Sequence, residues 1–204
     1  MPVAIIPLAS FSLVGSITPG PNNLMLAAAG ANFGWRRTAP HLAGVVLGFL
    51  FMLAIVAAGL GSAFQALPVL HDVLRVAGSL YLLYLAWRIA TAAPGGDTGR
   101  GTPLRFIEAA LFQWLNPKAW AMSLTISASF MTPDPAAGAI GVALDILVLM
   151  AVHGPISLAA TSAWTLFGMA IGQFLAQGNR RLWFNRTMAG LLVLTVYWIM
   201  APGL

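Results

Sequence analysis

The sequence predicts an all-α integral membrane protein with six transmembrane helices, arranged as two inverted three-helix repeats in which the first and fourth helices are broken. Three observations carry this. The 204-residue chain is 59% hydrophobic and only 7% charged, with a mean hydropathy of +0.86, whereas a soluble domain carries roughly 25% charged residues. Its apolar residues fall into six long runs joined by short polar turns, each long enough for the roughly 20 residues that a membrane span needs. Two of those runs are interrupted near their middles by helix-breaking residues, Thr18-Pro19-Gly20-Pro21-Asn22-Asn23 in the first and Asn116-Pro117 in the fourth.

The runs lie at about 4–33, 39–64, 69–90, 104–131, 136–170 and 183–201. In the first, Pro21 lacks the N–H its turn needs and Pro19 pushes Thr18 out of helical geometry, so the helix stops and restarts. Three later runs open on a capping side chain with a proline close behind: Thr38 with Pro40, Thr102 with Pro103, and Asp134 with Pro135. The fifth run is too long for one straight crossing, and His153-Gly154-Pro155 near its middle predicts a kink. One kinked helix running past the cytoplasmic membrane edge is expected; a seven-span chain is the alternative, at the expense of the charge pattern below. The stretch from Gly95 to Gly101 reads as a flexible cytoplasmic linker, about 93–103, between repeats at about 1–92 and 104–204 of a single membrane domain, 1–204. No basic segment precedes the first apolar run, which is expected to be retained as a span.

Basic residues set the orientation. Arg36, Arg37, Arg88, Arg100, Arg105, Arg180, Arg181 and Arg186 fall on one side and Arg75 alone on the other. That bias places the first group in the cytoplasm and both termini outside. It also accounts for the formal charge of +5 without a nucleic-acid partner; the partner that the composition demands is the lipid bilayer.

The repeat rests on two correspondences. Ala77-Gly78-Ser79-Leu80-Tyr81-Leu82 echoes Ala189-Gly190-Leu191-Leu192-Val193-Leu194, and Gly20-Pro21 is matched by Asn116-Pro117, each a capping residue before a proline deep in an apolar run. With three spans per half the second half is inverted, as in many secondary transporters. At a rise of about 1.5 Å per residue both breaks fall near the midplane of a hydrocarbon layer about 30 Å thick. The restarted helices begin at Pro21 and Pro117 and run in opposite directions. Each N-terminus offers unpaired N–H groups and about half a positive charge, which suits a carboxylate. The candidate substrate site is therefore Thr18, Pro19, Gly20, Pro21, Asn22, Asn23, Asn116, Pro117 and Lys118. An intramembrane lysine costs about 2.5–3.5 kcal/mol on insertion scales, so Lys118 either meets a ligand or fixes helix packing. Asp145 is the acid placed at similar depth: it answers a substrate ammonium, carries a coupling proton, or pairs with Lys118.

The remaining residues narrow the chemistry. Glu108 stands where an acid favours a helix N-terminus; Gln113 and Trp114 flank the fourth-run break. His41, His71 and His153 lack metal-ligand spacing and read as packed or interfacial. The chain has no cysteine, and no nucleophile triad, phosphate loop or metalloprotease motif is visible. No cofactor or metal is therefore expected, and neither an embedded enzyme nor an inorganic-ion channel, the two other classes, finds its usual ligands. Gly30 and Gly34, Gly44 and Gly48, Ala57 and Gly61, and Gly168 and Gly172 repeat small residues at four-residue spacing, which allows close helix approach within the subunit and leaves room for a homodimer.

Thr18-Pro19-Gly20-Pro21-Asn22 followed by Gly30 and Gly34, Leu42-Ala43-Gly44-Val45-Val46-Leu47-Gly48-Phe49, and Leu115-Asn116-Pro117-Lys118-Ala119 together make the chain resemble the LysE/RhtB amino-acid exporters over its full length. The resemblance implies a six-span exporter of amino acids or their derivatives in the bacterial inner membrane, driven by the proton gradient. Leu85-Ala86-Trp87-Arg88-Ile89-Ala90-Thr91 and the stretch 185–193 are most similar to the cysteine and O-acetylserine exporter branch, from which Asn116-Pro117-Lys118 is a departure.

Overall fold

The computed structural model describes residues 3–66, 68–92, 102–131 and 138–201, and among these the regular structure is entirely helical. Helix α1 (Ile5–Ile17) ends at an extended stretch, 18–20, and α2 (Pro21–Ile55) begins with proline at its first position. A π-helical stretch (Val56–Leu60) and α3 (Gly61–Ala66) lead to α4 (Pro68–Ala90). Then come α5 (Phe106–Leu115), α6 (Pro117–Phe130), α7 (Gly138–Phe174) and α8 (Arg180–Met200). Four stretches, Pro21–Leu60, Val69–Ala90, Gly138–Phe174 and Arg180–Met200, are long and apolar enough to cross a membrane; Ile5–Ile17 and Phe106–Leu115 are shorter apolar helices.

The break in the first run and the break in the fourth fall where proline dictates. Thr18 is extended (φ −60°, ψ 138°), as is Gly20 (φ −171°, ψ 175°), and Asn116 (φ −91°, ψ 109°) separates α5 from α6. Within α2 a further discontinuity occurs at Gly34 (φ 72°, ψ 179°), a conformation only glycine takes without steric cost. Around it the chain folds back on itself, because Asn22 shares one cavity with Val45 and Phe49 while Met25 shares another with His41. This corrects two expectations. Gly34 is a turn and not the partner of Gly30 in a packing pair, and the second helix resumes ahead of Thr38, with Pro40 inside it. Thr38 is fully buried and its hydroxyl has no hydrogen-bond partner among the described residues, the N–H groups of its own helix included, so it caps nothing there.

A third start also differs. Thr102 and Pro103 precede α5 without capping it; Arg105 is the N-cap, and its N–H donates to Glu108 Oε2 at 2.7 Å. Glu108 reaches the orphan donor directly from the first turn, which makes the threonine unnecessary and gives the acid its structural role. Asp134-Pro135, Arg100 and the linker from Gly95 to Gly101 lie outside the described residues.

The fifth run is a single uninterrupted helix of 37 residues with Pro155 inside it. At about 1.5 Å per residue it is longer than a hydrocarbon layer is thick. Its buried stripe, Leu149, His153, Ser157, Thr161, Thr165, Gly168 and Gly172, recurs every three or four residues, and α7 packs along α1 and α2 through it. Contact there is backbone to backbone. A methyl group at Gly30 would overlap the Thr165 carbonyl, and one at Gly168 the Ala27 carbonyl; Gly44 and Gly48 sit as tightly against Phe106 and Ala110 of α5. The small-residue pairs thus serve internal packing. The Ala77–Leu82 echo does not extend to packing: Gly78 abuts the Leu115 carbonyl, whereas Gly190 faces open space.

The charged turns gather at one end of the bundle. Arg88, in the last turn of α4, donates to Thr102 O at 3.0 Å, and Asn32 pairs with Asn185 near the start of α8 through Nδ2 to Oδ1 at 2.8 Å. At the other end Arg75, near the start of α4, donates to the Met200 carbonyl where α8 finishes.

Gly30→Ala and Gly168→Ala are each expected to lower stability by about 1–3 kcal/mol, the usual cost of overpacking, while Gly190→Ala leaves it unchanged. Thermal unfolding midpoints in detergent check the contrast, and equal midpoints for all three variants would contradict the α2–α7 contact.

Candidate functional site

An α-helix that stops inside an apolar bundle frees carbonyls at its end and N–H groups at its restart, and each needs a partner. At the first break the side chains of both breaks supply them. Thr18 turns its hydroxyl back onto the Val14 carbonyl. Asn23 Nδ2 donates to Ser16 O at 2.8 Å and to Thr18 O at 2.9 Å. Lys118, arriving from α6, donates from Nζ to the same Thr18 oxygen at 2.8 Å. Gly20 makes that approach feasible, since a Cβ there would lie 3.0 Å from Lys118 Cδ and 3.2 Å from Nζ.

A second bridge joins the breaks. Asn22, at the start of α2, donates from Nδ2 to Gln113 Oε1 at 2.8 Å, and Gln113 Nε2 returns a bond to Asn22 Oδ1 at 3.2 Å while also donating to Ala109 O at 2.9 Å. Gln113 is fully buried, so its amide is satisfied only because α2 begins opposite it. The structure holds the two interruptions in direct contact.

The two restarted helices are not equivalent. In α6, Asn116 Oδ1 accepts from Lys118 N at 3.1 Å, a side-chain cap that occupies the first available donor. In α2 the N-cap is Gly20, which has no side chain to offer, and no cap bond forms. Of the two helix N-termini, that of α2 keeps its first-turn N–H groups and its partial positive charge for another acceptor.

Between the breaks lies a cavity of about 50 Å³. Gly20, Pro21, Asn22, Asn23, Asn116 and Lys118 line it; Thr18, Pro19, Pro117 and Asp145 do not. Among its described lining residues Lys118 is the sole lysine or arginine, and no aspartate or glutamate occurs. Pro117 instead borders a separate opening of about 560 Å³ with His71, Arg75 and Trp198. Asp145 is half-buried on α7, about 12 Å along the helix axis from His153 at 1.5 Å per residue. No group of three His, Cys, Asp or Glu side chains placed to hold a metal ion occurs among the described residues.

The opposite wall comes from α7 and went unnoticed in the sequence. His153, Ser157 and Thr161 line the cavity. His153 is buried, its Nδ1 lies 3.1 Å from Ser12 Oγ of α1, and its ring sits 4.5 Å from that of Phe49. Thr161 directs its hydroxyl to Ser157 O at 2.7 Å. The signal was present as hydrogen-bonding residues at four-residue spacing, 153, 157, 161 and 165, in a helix that is otherwise apolar.

Residues 13–196 match the family of the LysE type translocator. The chain belongs to that family. Curated relatives extend the match over nearly the whole length. The chain is 28% identical to a cysteine/O-acetylserine efflux protein of Shigella flexneri serotype 5b (strain 8401) over 193 residues, 94% of this chain and 95% of the relative. It is 29% identical over 185 residues to the proteins of that name from Escherichia coli (strain K12) and Shigella sonnei (strain Ss046), covering 90% of this chain and 91% of each relative. No solved structure shows a significant match to it. A LysE type translocator is a transporter and not an enzyme, and with its long apolar helices it is a multi-pass membrane protein.

Removing one partner of the Asn22–Gln113 pair leaves a buried amide unsatisfied, at a cost of about 1–3 kcal/mol. Gln113→Ala and Asn22→Ala are each expected to lower the unfolding midpoint of the translocator, and the double variant to fall by less than their sum. Strict additivity would mean that the pair does not form.

Proposed function

We propose that this LysE type translocator is a secondary exporter of small amino acids or their derivatives, driven by the proton gradient, with the substrate carboxylate held between the two helix breaks. The observation that carries this reading is the pairing, in one cavity, of an uncapped helix N-terminus with a single lysine and no carboxylate. Such a cavity favours an anionic group. The efflux proteins it resembles are named for cysteine and O-acetylserine, and a small zwitterion with a short polar side chain fits the surroundings: the carboxylate toward Asn22, Asn23 and Lys118, the side chain toward Ser157 and Thr161.

Loading then requires movement. A cavity of about 50 Å³ holds a few water molecules and not an amino acid. Entry separates α2 from α5 and α6, and the bonds that yield are the Asn22–Gln113 pair and the Lys118–Thr18 contact. Lys118 exchanges a backbone oxygen for the substrate carboxylate, so a cation is never left without an acceptor. Opening toward alternate faces exports the substrate. Asp145 remains our candidate for the coupling proton.

The same reading fixes the topology. α1 with the first part of α2, the second part of α2, α4, α5 with α6, α7, and α8 make six crossings in two inverted halves of the inner membrane. Arg88, Arg181 and their neighbours face the cytoplasm, Arg75 faces outward, and both termini are external.

Vesicles of the purified protein carrying O-acetylserine or cysteine are expected to move it when a proton gradient is imposed. Asn22→Ala and Lys118→Gln should each cut the rate at least tenfold while membrane insertion stays intact, with Lys118→Arg retaining part of it. Gradient-independent behaviour across a broad amino-acid panel would overturn the exporter reading; full rates in both variants would overturn the site.

A further inference from the structure

A second chamber of about 50 Å³, mostly apolar in its lining, lies along the same seam of helices, at the end of the bundle where Arg88 and Asn185 gather. Its lining includes Met25, Asn32, His41, Arg88, Ala92 and Thr102. His41 is only 1% exposed, and neither of its ring nitrogens has a hydrogen-bond partner among the described residues. Buried imidazole nitrogens are rarely left without a partner unless the site receives a ligand or water. Arg88 spends one N–H on Thr102 O, which leaves other donors of its five-donor guanidinium to a second acceptor. Asn32 spends both Nδ2 hydrogens, on Ala28 O at 2.7 Å and Asn185 Oδ1 at 2.8 Å, and accepts from Asn185 Nδ2 at 3.3 Å, so it shapes the wall without offering a donor. An arginine with spare donors beside an imidazole that lacks a partner among the described residues matches a carboxylate better than a cation.

Its position relative to the central cavity gives it a role. The two share helices: Asn22 faces the central cavity and Met25 and Asn32 the second chamber, while Val45 and Phe49 face the first and His41 the second. At about 1.5 Å per residue, His41 and Val45 are about 6 Å apart along the helix. Met25 on the wall of the second chamber and Val45 on that of the first belong, with Leu42, Ala109 and Phe112, to one buried apolar cluster.

We propose that the chamber of His41 and Arg88 is a loading site that binds the carboxylate of the amino acid before it passes the apolar cluster of Met25 and Val45 to the helix breaks. This rests on the export reading above. At about 50 Å³ the chamber, like the central cavity, must widen to admit the amino acid; it adds a binding step to export, with the apolar cluster as the inner gate, so the two chambers are occupied in turn and the pathway never opens through both at once.

The chain contains no cysteine, so a single introduced thiol reports each chamber separately. Ala92→Cys reports the second chamber and Ser16→Cys the central one, both at half-buried positions that line them. In nanodiscs, O-acetylserine is expected to slow maleimide labelling of the Ala92→Cys variant at least threefold. That protection should persist when Asn22→Ala is added and disappear with Arg88→Gln or His41→Phe. Protection of the thiol in the central cavity without protection of the one in the second chamber would overturn the loading site and leave the exporter reading standing. Protection in the second chamber that vanishes with Asn22→Ala, survives Arg88→Gln, or is matched by acetate or chloride would also overturn it. If neither thiol is protected by any amino acid, the export reading itself fails and the loading site falls with it.

Discussion

In a bundle this apolar, the cost of leaving backbone groups unpaired governs everything around the two helix breaks. Water is not available to satisfy the carbonyls at the end of α1, so the protein must do it. Asn23 and Lys118 do so from opposite directions, one from the first turn of the restarted helix and the other from the matching break in α6. Because Lys118 of the second break completes the first, the two are not independent local defects. The pair forms a unit whose members hold each other in place, and the Asn22–Gln113 amide pair closes its second side.

The contacts across the breaks also reconcile a rigid packing scheme with the opening that the proposed export requires. The seams between α2 and α7 and between α2 and α5 run on glycine, with backbones in direct contact at Gly30, Gly168 and Gly44. Contacts of that kind move as blocks. The bonds across the breaks are few, made by flexible side chains, and each has an acceptor that a carboxylate can replace. In the proposed export cycle, motion is concentrated where hydrogen bonds can be exchanged at little net cost, and excluded where van der Waals packing holds.

α7 gives the site its asymmetry. Its polar stripe from His153 to Thr165 faces α1 and the first part of α2 without interrupting the helix, so it contributes side chains from a continuous rod to a cavity otherwise built by interrupted ones. The cavity thus has an uncapped helix N-terminus on one wall and Ser157 and Thr161 on the other.

The sequence alone determined the helical class, the apolar runs and the two breaks, because proline and hydrophobic run length act locally and need no partner to be read. It also determined the family, through motifs at those same residues. Tertiary structure alone decided the rest. Gly34 became a turn and Gly30 a contact, although both carry the same residue at helical spacing, because only the fold distinguishes a φ above zero from a crowded neighbour. Asn116 capped its own helix while Gly20 left α2 open. His153 and His41, indistinguishable as isolated histidines in apolar runs, separated into one bonded to Ser12 and one without a hydrogen-bond partner among the described residues. Each of these is a question of what lies across the interface, and the chain's own neighbours in sequence carry no record of it.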